Sequence, residues 1–173
     1  MDVLDAIHGL RVVRRFADRP LEAAHLTAIL EAGRRASSSK NQQRWDFIVV
    51  TGRERLVELR RVGPYAGHVG EAAAAVALVT PDPRSPEVPA STLWDLGLAA
   101  QNMILAAWAL GIGSCPATVY DHDLARRLLG CPTGRSCEFV LSFGYPADPS
   151  DLSRPLRPGG RRPLADVVHE DRW

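Results

Sequence analysis

The sequence has few of the residues from which disulfides and metal centres are built. Its three cysteines, Cys115, Cys131 and Cys137, are odd in number and form no Cys-x-x-Cys pair. Neither a disulfide framework nor a zinc site is therefore expected. The five histidines are scattered along the chain without ligand spacing. The sequence thus predicts no metal centre.

The motifs of several common enzyme classes are also missing. The chain contains no Gly-x-Gly-x-x-Gly stretch and no P-loop, which argues against the two best-known nucleotide-binding fingerprints. It has no Gly-x-Ser-x-Gly turn, where α/β-hydrolases place their nucleophile. Several aspartates lie where helices begin and not as an acid–base pair. We therefore predict no catalytic side chain.

Charge and hydropathy give no sign of a nucleic-acid or membrane partner. The net charge is +1, and lysine occurs only as Lys40. Such a balance gives no reason to expect binding to a polyanion. The apolar stretch 72–79 is too short to cross a bilayer, and 96–112 contains Gln101 and Asn102. The first residues lack the pattern of a secretion signal, so we expect a cytoplasmic protein.

Apolar spacing and turn residues predict a mixed α/β sandwich in one domain, 1–173. Helix 91–110 is apolar almost all round, which predicts a second buried side against another subunit. The tail from Tyr145 is too polar to form its own core, so we expect it to wrap over another surface. The predicted helices are 2–9, 21–35, 53–61, 91–110 and 121–129. The predicted strands are 45–51, which we expect to be buried, 73–80 and 139–143, and 114–120 is a strand or an extended link.

Two arginine clusters lie near opposite ends of the chain. The first, which we call the arginine link, is residues 11–16, Arg-Val-Val-Arg-Arg-Phe. Arg11 and Arg14 are three residues apart, and guanidinium groups bind phosphate through paired hydrogen bonds. Arg161 and Arg162 form the second cluster. The alternative is that both clusters are solvated segments that make only surface ion pairs.

Two further segments have the chemistry of a ligand site. The polar loop, residues 36–44, contains three serines, an asparagine and two glutamines. Their donors and acceptors match the edge of a flavin or nucleobase, although a plain capping turn is the alternative. The segment 111–118 has two glycines that let the backbone approach a planar ligand. Its Cys115 has no base nearby in sequence and is expected to be buried. Together the segments suggest that a bound organic cofactor performs the chemistry.

In order and spacing these segments resemble the nitroreductase family. The similarity runs from about residue 3 to the C-terminus. It implies an α+β fold, a three-layer sandwich around a mostly antiparallel sheet. It also implies an intertwined homodimer with FMN at its interface, and NAD(P)H as the hydride donor. The matching segments are 11–16, 19–21, 36–45, 101–103, 110–115 and 161–164.

The resemblance also assigns roles to residues of this chain. In similar proteins the arginine link, here Arg11, Val12 and Arg14, holds the FMN phosphate and the pyrimidine edge of the ring. The polar loop approaches from the other subunit, the strand after the glycines lies along the ring, and the C-terminal basic pair reaches the phosphate. The cofactor residues implied in these segments are Ser38, Ser39, Asn41, Gln43, Pro116, Ala117, Thr118, Arg161 and Arg162.

The chain departs from the family pattern at several positions. Leu10-Arg11-Val12 stands where the family often has Arg-Arg-Ser, so one arginine and one hydroxyl are missing. Tyr65 and His68 lie near the positions where many relatives have an Asn and a Lys facing the flavin. A polar contact from His68 is one reading, and a surface histidine after a Gly-Pro turn is the one we favour.

The function that follows is an FMN-dependent oxidoreductase. Its expected reaction transfers hydride from NAD(P)H to a small electron-poor acceptor, such as a nitroaromatic or a quinone, by a ping-pong mechanism. Two alternatives stay open. The departures at Leu10 and Val12 fit a flavin-binding or flavin-handling protein without reductase turnover. A specialised relative, such as a dehalogenase or ring oxidase, would share the same cofactor residues.

Overall fold

A four-stranded antiparallel sheet forms the middle layer of the computed structural model, which describes residues 2–156 and 159–173. The strand order is β1-β2-β4-β3, and each neighbouring pair is antiparallel. β2 and β4 are therefore central, while β1 and β3 are edges. The strands are β1 (Asp46–Val50), β2 (Ala74–Pro81), β3 (Gly113–Thr118) and β4 (Arg135–Gly144).

Helices cover both faces of this sheet. The long helices α2 and α4 pack on the face that carries Val76, Leu78 and Phe143. The shorter α3 and α5 cover the face that carries Ala77 and Val140. The prediction of a three-layer α+β sandwich with an antiparallel sheet is confirmed. The helices are α1 (Val3–Gly9), α2 (Ala23–Arg34), α3 (Arg53–Leu59), α4 (Ser91–Ala109) and α5 (His122–Leu129).

Local signals explain where the shorter helices begin and end. The carboxylates of Asp2 and Asp121 accept hydrogen bonds from the first-turn amides of α1 and α5, from Leu4 at 2.7 Å and from Leu124 at 2.8 Å. Gly130 ends α5 with a φ of 67°, a left-handed conformation that favours glycine. These caps lie where the sequence predicts them.

Two local predictions were wrong. β1 is not a buried strand, because it pairs only with β2 and buries only Val50. α4 leaves Trp94 with 72% of its surface exposed within one chain, so its second buried side, expected against another subunit, stays a prediction. β4 begins at Arg135, four residues before the predicted start, because Ser136 and Cys137 already pair with β2. Polar residues at the start of a central strand weaken the apolar pattern on which the prediction relied.

Within residues 2–156 and 159–173, no helix combines the length and hydropathy that crossing a bilayer requires. Among the same residues, no three His, Cys, Asp or Glu side chains are grouped so that they could hold a metal ion.

Candidate functional site

The arginine link runs beside the start of edge strand β3. Val12 forms a parallel bridge with Ser114, and the Val13 amide donates to the Ser114 carbonyl at 3.0 Å. Val13 is fully buried against Gly113, where a Cβ atom would lie only 2.6 Å from the Cβ of Val13. Glycine at 113 therefore allows the link to lie against the strand. This contact brings two of the predicted segments together.

The beginning of the C-terminal tail packs on the other side of the link. The Ala17 amide donates to the backbone carbonyl of Tyr145 at 2.8 Å, and the Ala147 amide donates to the backbone carbonyl of Arg15 at 3.0 Å. The Arg154 guanidinium donates to the Val12 carbonyl at 3.1 Å. The two ends of the chain thus meet at β3, and the backbone of the link is held on both sides.

The two arginines of the predicted phosphate clamp have different surroundings. Arg11 uses its Nη1 on the carbonyls at the end of α1, and its Nε donates to the Arg154 carbonyl at 2.7 Å. Positive charge at the C-terminus of a helix is favourable there. Arg14 is exposed, and its charge acts on both Cys115 and His68. Of the two, Arg14 is the better placed to meet a ligand.

His68 is buried, so the favoured reading as a surface histidine was wrong. It lies in the 3₁₀ turn Gly67–Glu71, keeps 7% of its surface exposed, and its Nδ1 lies 2.8 Å from the Ser142 hydroxyl. Burial, and then the Arg14 charge, lower the pKa of His68 to about 4. Its Nε2 is buried and has no hydrogen-bond partner among residues 2–156 and 159–173. The Gly-Pro turn before it does not lead to the surface but folds back onto the sheet.

The segment Pro116 to Thr118 lies in β3 as expected. Ala117 points into the core with Cys115, while Pro116 and Thr118 alternate to the exposed side of the edge strand. Burial raises the pKa of the Cys115 thiol against the opposing effect of Arg14. A thiol in that environment is a poor nucleophile, which confirms the expectation of a buried structural cysteine.

The polar loop is held in a strained conformation. Lys40, Asn41 and Gln43 have φ values of 53°, 55° and 46°, in the left-handed region that non-glycine residues seldom adopt. Two hydrogen bonds from backbone amides support the loop. The Ser39 amide donates to the carboxylate of the buried Asp95 in α4 at 2.9 Å, and the Gln43 amide donates to the Ser38 hydroxyl at 3.0 Å. Strain of this kind is often found where a loop presents groups to a ligand.

The structure brings together some of the predicted site residues and not others. Val12 and Arg14 lie beside the β3 segment, while Arg11 is bonded to backbone carbonyls of α1 and of the tail. Within the described residues, no hydrogen bond or ion pair joins the polar loop to the arginine link. Arg161 and Arg162 are exposed, and Arg161 donates to the Gly160 carbonyl next to it at 3.0 Å. Their assigned role at the phosphate stays a prediction.

Sequence reasoning missed two supports of the site. Asp95 is a carboxylate in a largely apolar helix, and that contrast is a signal for a buried backbone partner. Ser142 is fully buried in β4 and contacts His68. The sequence gives no such signal for Ser142, because a serine within a strand does not stand out from its neighbours. Its role depends on strand register, which only the folded sheet provides.

The residues around β3 fit FMN. Arg14 offers an exposed guanidinium for an anion, and the exposed side of the edge strand offers a surface for a planar ring. The buried Nε2 of His68 is a polar atom that lacks a partner in the part of the chain that the structure describes. A buried polar atom of this kind is costly unless a ligand or water completes it. A phosphate-bearing heterocycle matches this set of groups.

Comparison with known proteins supports this interpretation. The family profile described as "Nitroreductase family" matches residues 7–85 and 65–145. A protein of Methanothermobacter thermautotrophicus named as an NADH dehydrogenase/NAD(P)H nitroreductase is 33% identical, covering 100% of this chain and 88% of its own. Nitroreductase A from Vibrio parahaemolyticus superposes with a TM-score of 0.83 at 27% identity, over 100% of this chain and 77% of that one. The NADPH:FMN oxidoreductase from Vibrio harveyi, solved with NAD⁺, gives 0.80 at 26% identity, over 98% and 77%.

Proposed function

The chain belongs to the nitroreductase family, and on that premise we propose that it is an FMN-dependent oxidoreductase. It uses NAD(P)H to reduce a small electron-poor acceptor, such as a nitroaromatic or a quinone. The proposed unit is one domain, residues 1–173, that works as a homodimer in the reducing cytoplasm. Names of relatives, among them an NADPH-flavin oxidoreductase of Vibrio harveyi, support this cofactor and this donor.

One observation carries the proposal. The arginine link pairs with edge strand β3, whose Pro116 and Thr118 are exposed, and His68 lies behind the same strand, joined to it through Ser142 and the Cys115 carbonyl. The chain has no other combination of this kind within the residues that the structure describes. A site without a nucleophile, metal or acid–base pair, but with groups for an anion and a ring, suits an enzyme whose cofactor reacts.

We assign the holding of FMN to three groups of residues. Arg14 and, in a supporting position, Arg11 and Val12 hold its phosphate and the pyrimidine edge of its ring, and Arg161 and Arg162 reach the phosphate. Pro116, Ala117 and Thr118 lie along the ring, largely through their backbone. The polar loop contributes from the partner subunit, and its residues are Ser38, Ser39, Asn41 and Gln43.

When bound, FMN supplies the redox chemistry, since its ring accepts hydride from NAD(P)H and passes it to the acceptor in a ping-pong cycle. The protein's residues bind and orient. The exposed Arg14 would place a positive charge near the ring, which favours the negative charge that a flavin gains on reduction. The exposed side of β3, which carries Pro116 and Thr118, would leave room for donor and acceptor to bind in turn. No side chain of the chain has to form a covalent bond or act as an obligatory acid.

The homodimer is supported by apolar surface that one chain leaves uncovered. α1 exposes Val3, Leu4 and Ile7, and α4 exposes Trp94. Contiguous apolar patches on a folded chain mark interaction surfaces. The polar loop is bonded to α4 through Asp95, so a partner that covers α4 would also lie against the loop. That arrangement would bring the loop of one subunit to the β3 site of the other.

Flavin reduction tests the proposal directly. Protein purified and saturated with FMN is mixed anaerobically with NADH or NADPH in a stopped-flow instrument, and loss of the oxidised flavin absorbance is followed. We expect rapid bleaching, and recovery when a quinone or nitroaromatic is added. Binding of FMN without bleaching would support a flavin-handling protein instead. Failure to bind FMN at all would end the proposal.

A further inference from the structure

An open cavity of about 680 Å³ lies where the segments that follow α3, β2 and β3 meet. Its lining residues include Arg61, Pro64, Arg84, Tyr120 and His122. Small-molecule sites in proteins are concave and usually have volumes of roughly 300–1,000 Å³. The cavity is therefore large enough for a small organic molecule. In the part of the chain that the structure describes, none of the residues assigned to FMN lines it.

The exposed side of β3 continues into this cavity through Tyr120. Pro116, Thr118 and Tyr120 are exposed, and the residues between them are buried. Such alternation places the three exposed residues on one side of an extended chain. The Tyr120 amide donates to the Val62 carbonyl at 2.8 Å, which holds the end of this run beside the cavity. A molecule that lies along the exposed side of β3 can therefore extend to Tyr120.

Tyr120 gives the cavity an aromatic wall. Tyr120 keeps 59% of its surface exposed, and Tyr65 keeps 76%. The two rings form an edge-to-face pair with centroids 6.4 Å apart, an arrangement that aromatic rings favour. Gly63 allows the chain to pass close by, since a Cβ there would lie 2.7 Å from the Thr118 carbonyl oxygen and 3.0 Å from the Tyr120 ring. The tyrosine pair offers an apolar surface for a further aromatic ring.

Arg84 supplies a positive charge that is already held in place. Its Nε donates to Asp82 at 2.7 Å, and its Nη2 donates to the Ser136 hydroxyl at 2.8 Å. Its side chain is 49% exposed, and within residues 2–156 and 159–173 its Nη1 makes no hydrogen bond. A guanidinium fixed in this way keeps donors for an anion and loses little side-chain entropy when it binds one.

Arg61 is the second cation of the cavity. It forms an ion pair with Glu58 in which both side chains are largely exposed. Exposed pairs contribute little to stability, so this guanidinium can turn towards a ligand at small cost. The lining carboxylates are engaged elsewhere, since Asp121 accepts a first-turn amide of α5 at 2.8 Å and Asp123 lies 3.9 Å from Arg126. The cavity thus presents two guanidinium groups beside an aromatic surface.

We propose that this cavity binds the anionic group of an aromatic acceptor whose ring lies against Tyr120. The proposal rests on the proposed function and names a class of acceptor for it, an aromatic compound that carries a carboxylate. Arg84 and Arg61 are then specificity-determining residues, because a guanidinium binds a carboxylate through paired hydrogen bonds. A neutral acceptor still reacts but lacks this contact.

Two acceptors that differ only in charge test the proposal. The kcat/KM values of 4-nitrobenzoate and of the neutral 4-nitrobenzamide are measured for the FMN-saturated wild type, Arg84→Gln and Arg55→Gln. We expect the ratio of benzoate to benzamide to fall about tenfold or more in Arg84→Gln, the usual effect of a lost charge-assisted hydrogen bond. Arg55, an exposed arginine of α3 that does not line the cavity, is the matched control and should keep the wild-type ratio. If Arg84→Gln does not fold, Arg61→Gln replaces it.

Each outcome has a distinct meaning. A wild-type ratio retained in both Arg84→Gln and Arg61→Gln would overturn the inference while leaving the proposed function intact. Absence of turnover with both acceptors and with a quinone would contradict the proposed function itself. If Arg84→Gln instead loses only a preference for NADPH over NADH, the cavity binds the additional phosphate of the donor, and its assignment to the acceptor is wrong.

A second measurement separates binding from turnover. Benzoate and benzamide have no nitro group for the flavin to reduce, so their dissociation constants can be measured by ligand-observed NMR on the oxidised, FMN-loaded protein. We expect the wild type and Arg55→Gln to bind benzoate more tightly than benzamide, and the difference to disappear in Arg84→Gln. Equal binding of the two compounds by the wild type would overturn the inference.

Discussion

Arg11 and Arg14 belong to one turn of the arginine link, yet the structure separates their roles. Arg11 donates to the carbonyls of His8, Gly9 and Leu10 and to that of Arg154. It ties α1 to the tail. Arg14 is exposed near Cys115 and His68. An arginine can therefore bind backbone carbonyls at one position, and another arginine three residues later can be available to a ligand.

Substitution of Arg11 should change protein stability, whereas substitution of Arg14 should change FMN binding. Arg11→Gln should lower the free energy of unfolding by about 2 kcal/mol, because several charge-assisted bonds to backbone carbonyls are lost. Arg14→Gln should leave stability nearly unchanged but weaken FMN binding by about tenfold or more. Urea denaturation and fluorescence titration measure the two effects. A loss of stability in Arg14→Gln equal to that in Arg11→Gln would contradict this division.

The burial of His68 predicts how the stability of the protein without FMN changes with pH. A histidine whose pKa falls on folding is protonated more readily in the unfolded chain, so stability is complete above pH 6.5 and decreases as the pH falls towards about 4. Between pH 7.5 and 4.5 this group alone should remove about 2 kcal/mol of stability. Urea denaturation at the two values checks it.

The matched variant for that experiment is His68→Gln, which keeps a polar side chain and does not titrate. Its stability should decline less than that of the wild type over the same pH interval. If wild type and variant lose stability in parallel, the acid response comes from other groups, and His68 is not held neutral by its surroundings.

The packing of the arginine link against β3 depends on one residue, Gly113. A Cβ at 113 would meet Val13 at 2.6 Å, and its two methyl groups at 2.8 and 2.9 Å. Val13 is fully buried and branched, so it has little freedom to move aside. The link would have to shift away from the strand.

Gly113→Ala should therefore destabilise the fold by about 1–3 kcal/mol, the usual range for overpacking. It should also weaken FMN binding, because Arg14 moves with the link. The control is Gly52→Ala, where φ is −66° and nothing lies within 4 Å of the added atom. Its stability should change by no more than about 1 kcal/mol. Thermal unfolding and flavin titration compare the two. Normal flavin affinity in a folded Gly113→Ala protein would contradict the coupling.

The elements that sequence alone predicts are those with complete local signals. α5 has its cap at Asp121 and its glycine at 130, and both are found where expected. β1 and the 3₁₀ turn of His68 lack such signals. An apolar run predicts a strand but cannot say that it forms an edge, and a histidine after a Gly-Pro turn looks exposed until β4 places Ser142 beside it. Burial of this kind depends on contacts between segments far apart in the sequence.

The candidate site was predictable only as a set of separate segments. The arginine link, the polar loop and the β3 segment were all identified from residue chemistry, and family resemblance supplied their common ligand. Sequence spacing could not show that Arg11 is engaged by backbone carbonyls, or that the β3 segment alternates between buried and exposed positions. Those properties follow from which segments of the chain pack against one another in the fold.

For the whole molecule, the exposed apolar surface predicts assembly. Trp94 keeps 72% of its surface exposed on the longest helix, and Leu93 beside it keeps 39%. Trp94→Asp should shift the protein from dimer to monomer, because a charge in the centre of an apolar interface is not compensated. Sedimentation velocity measures the change, and FMN binding should weaken in parallel.

Tyr120→Asp serves as the control for assembly. Tyr120 is also an exposed aromatic residue, at 59%, and its amide binds the carbonyl of Val62 on the α3 side of the sheet. This variant should remain dimeric. A wild type that sediments as a monomer at every concentration, or a Trp94→Asp protein that stays dimeric, would contradict the predicted interface.

The meeting of the two chain ends has a consequence for biosynthesis. The bond from Arg11 to Arg154 joins residues 143 positions apart, and loops of that length close slowly. A ribosome makes Arg11 long before it makes Arg154. The arginine link therefore lacks this contact during most of its synthesis, and a newly made N-terminal segment waits for residues far along the chain before its backbone is held on both sides.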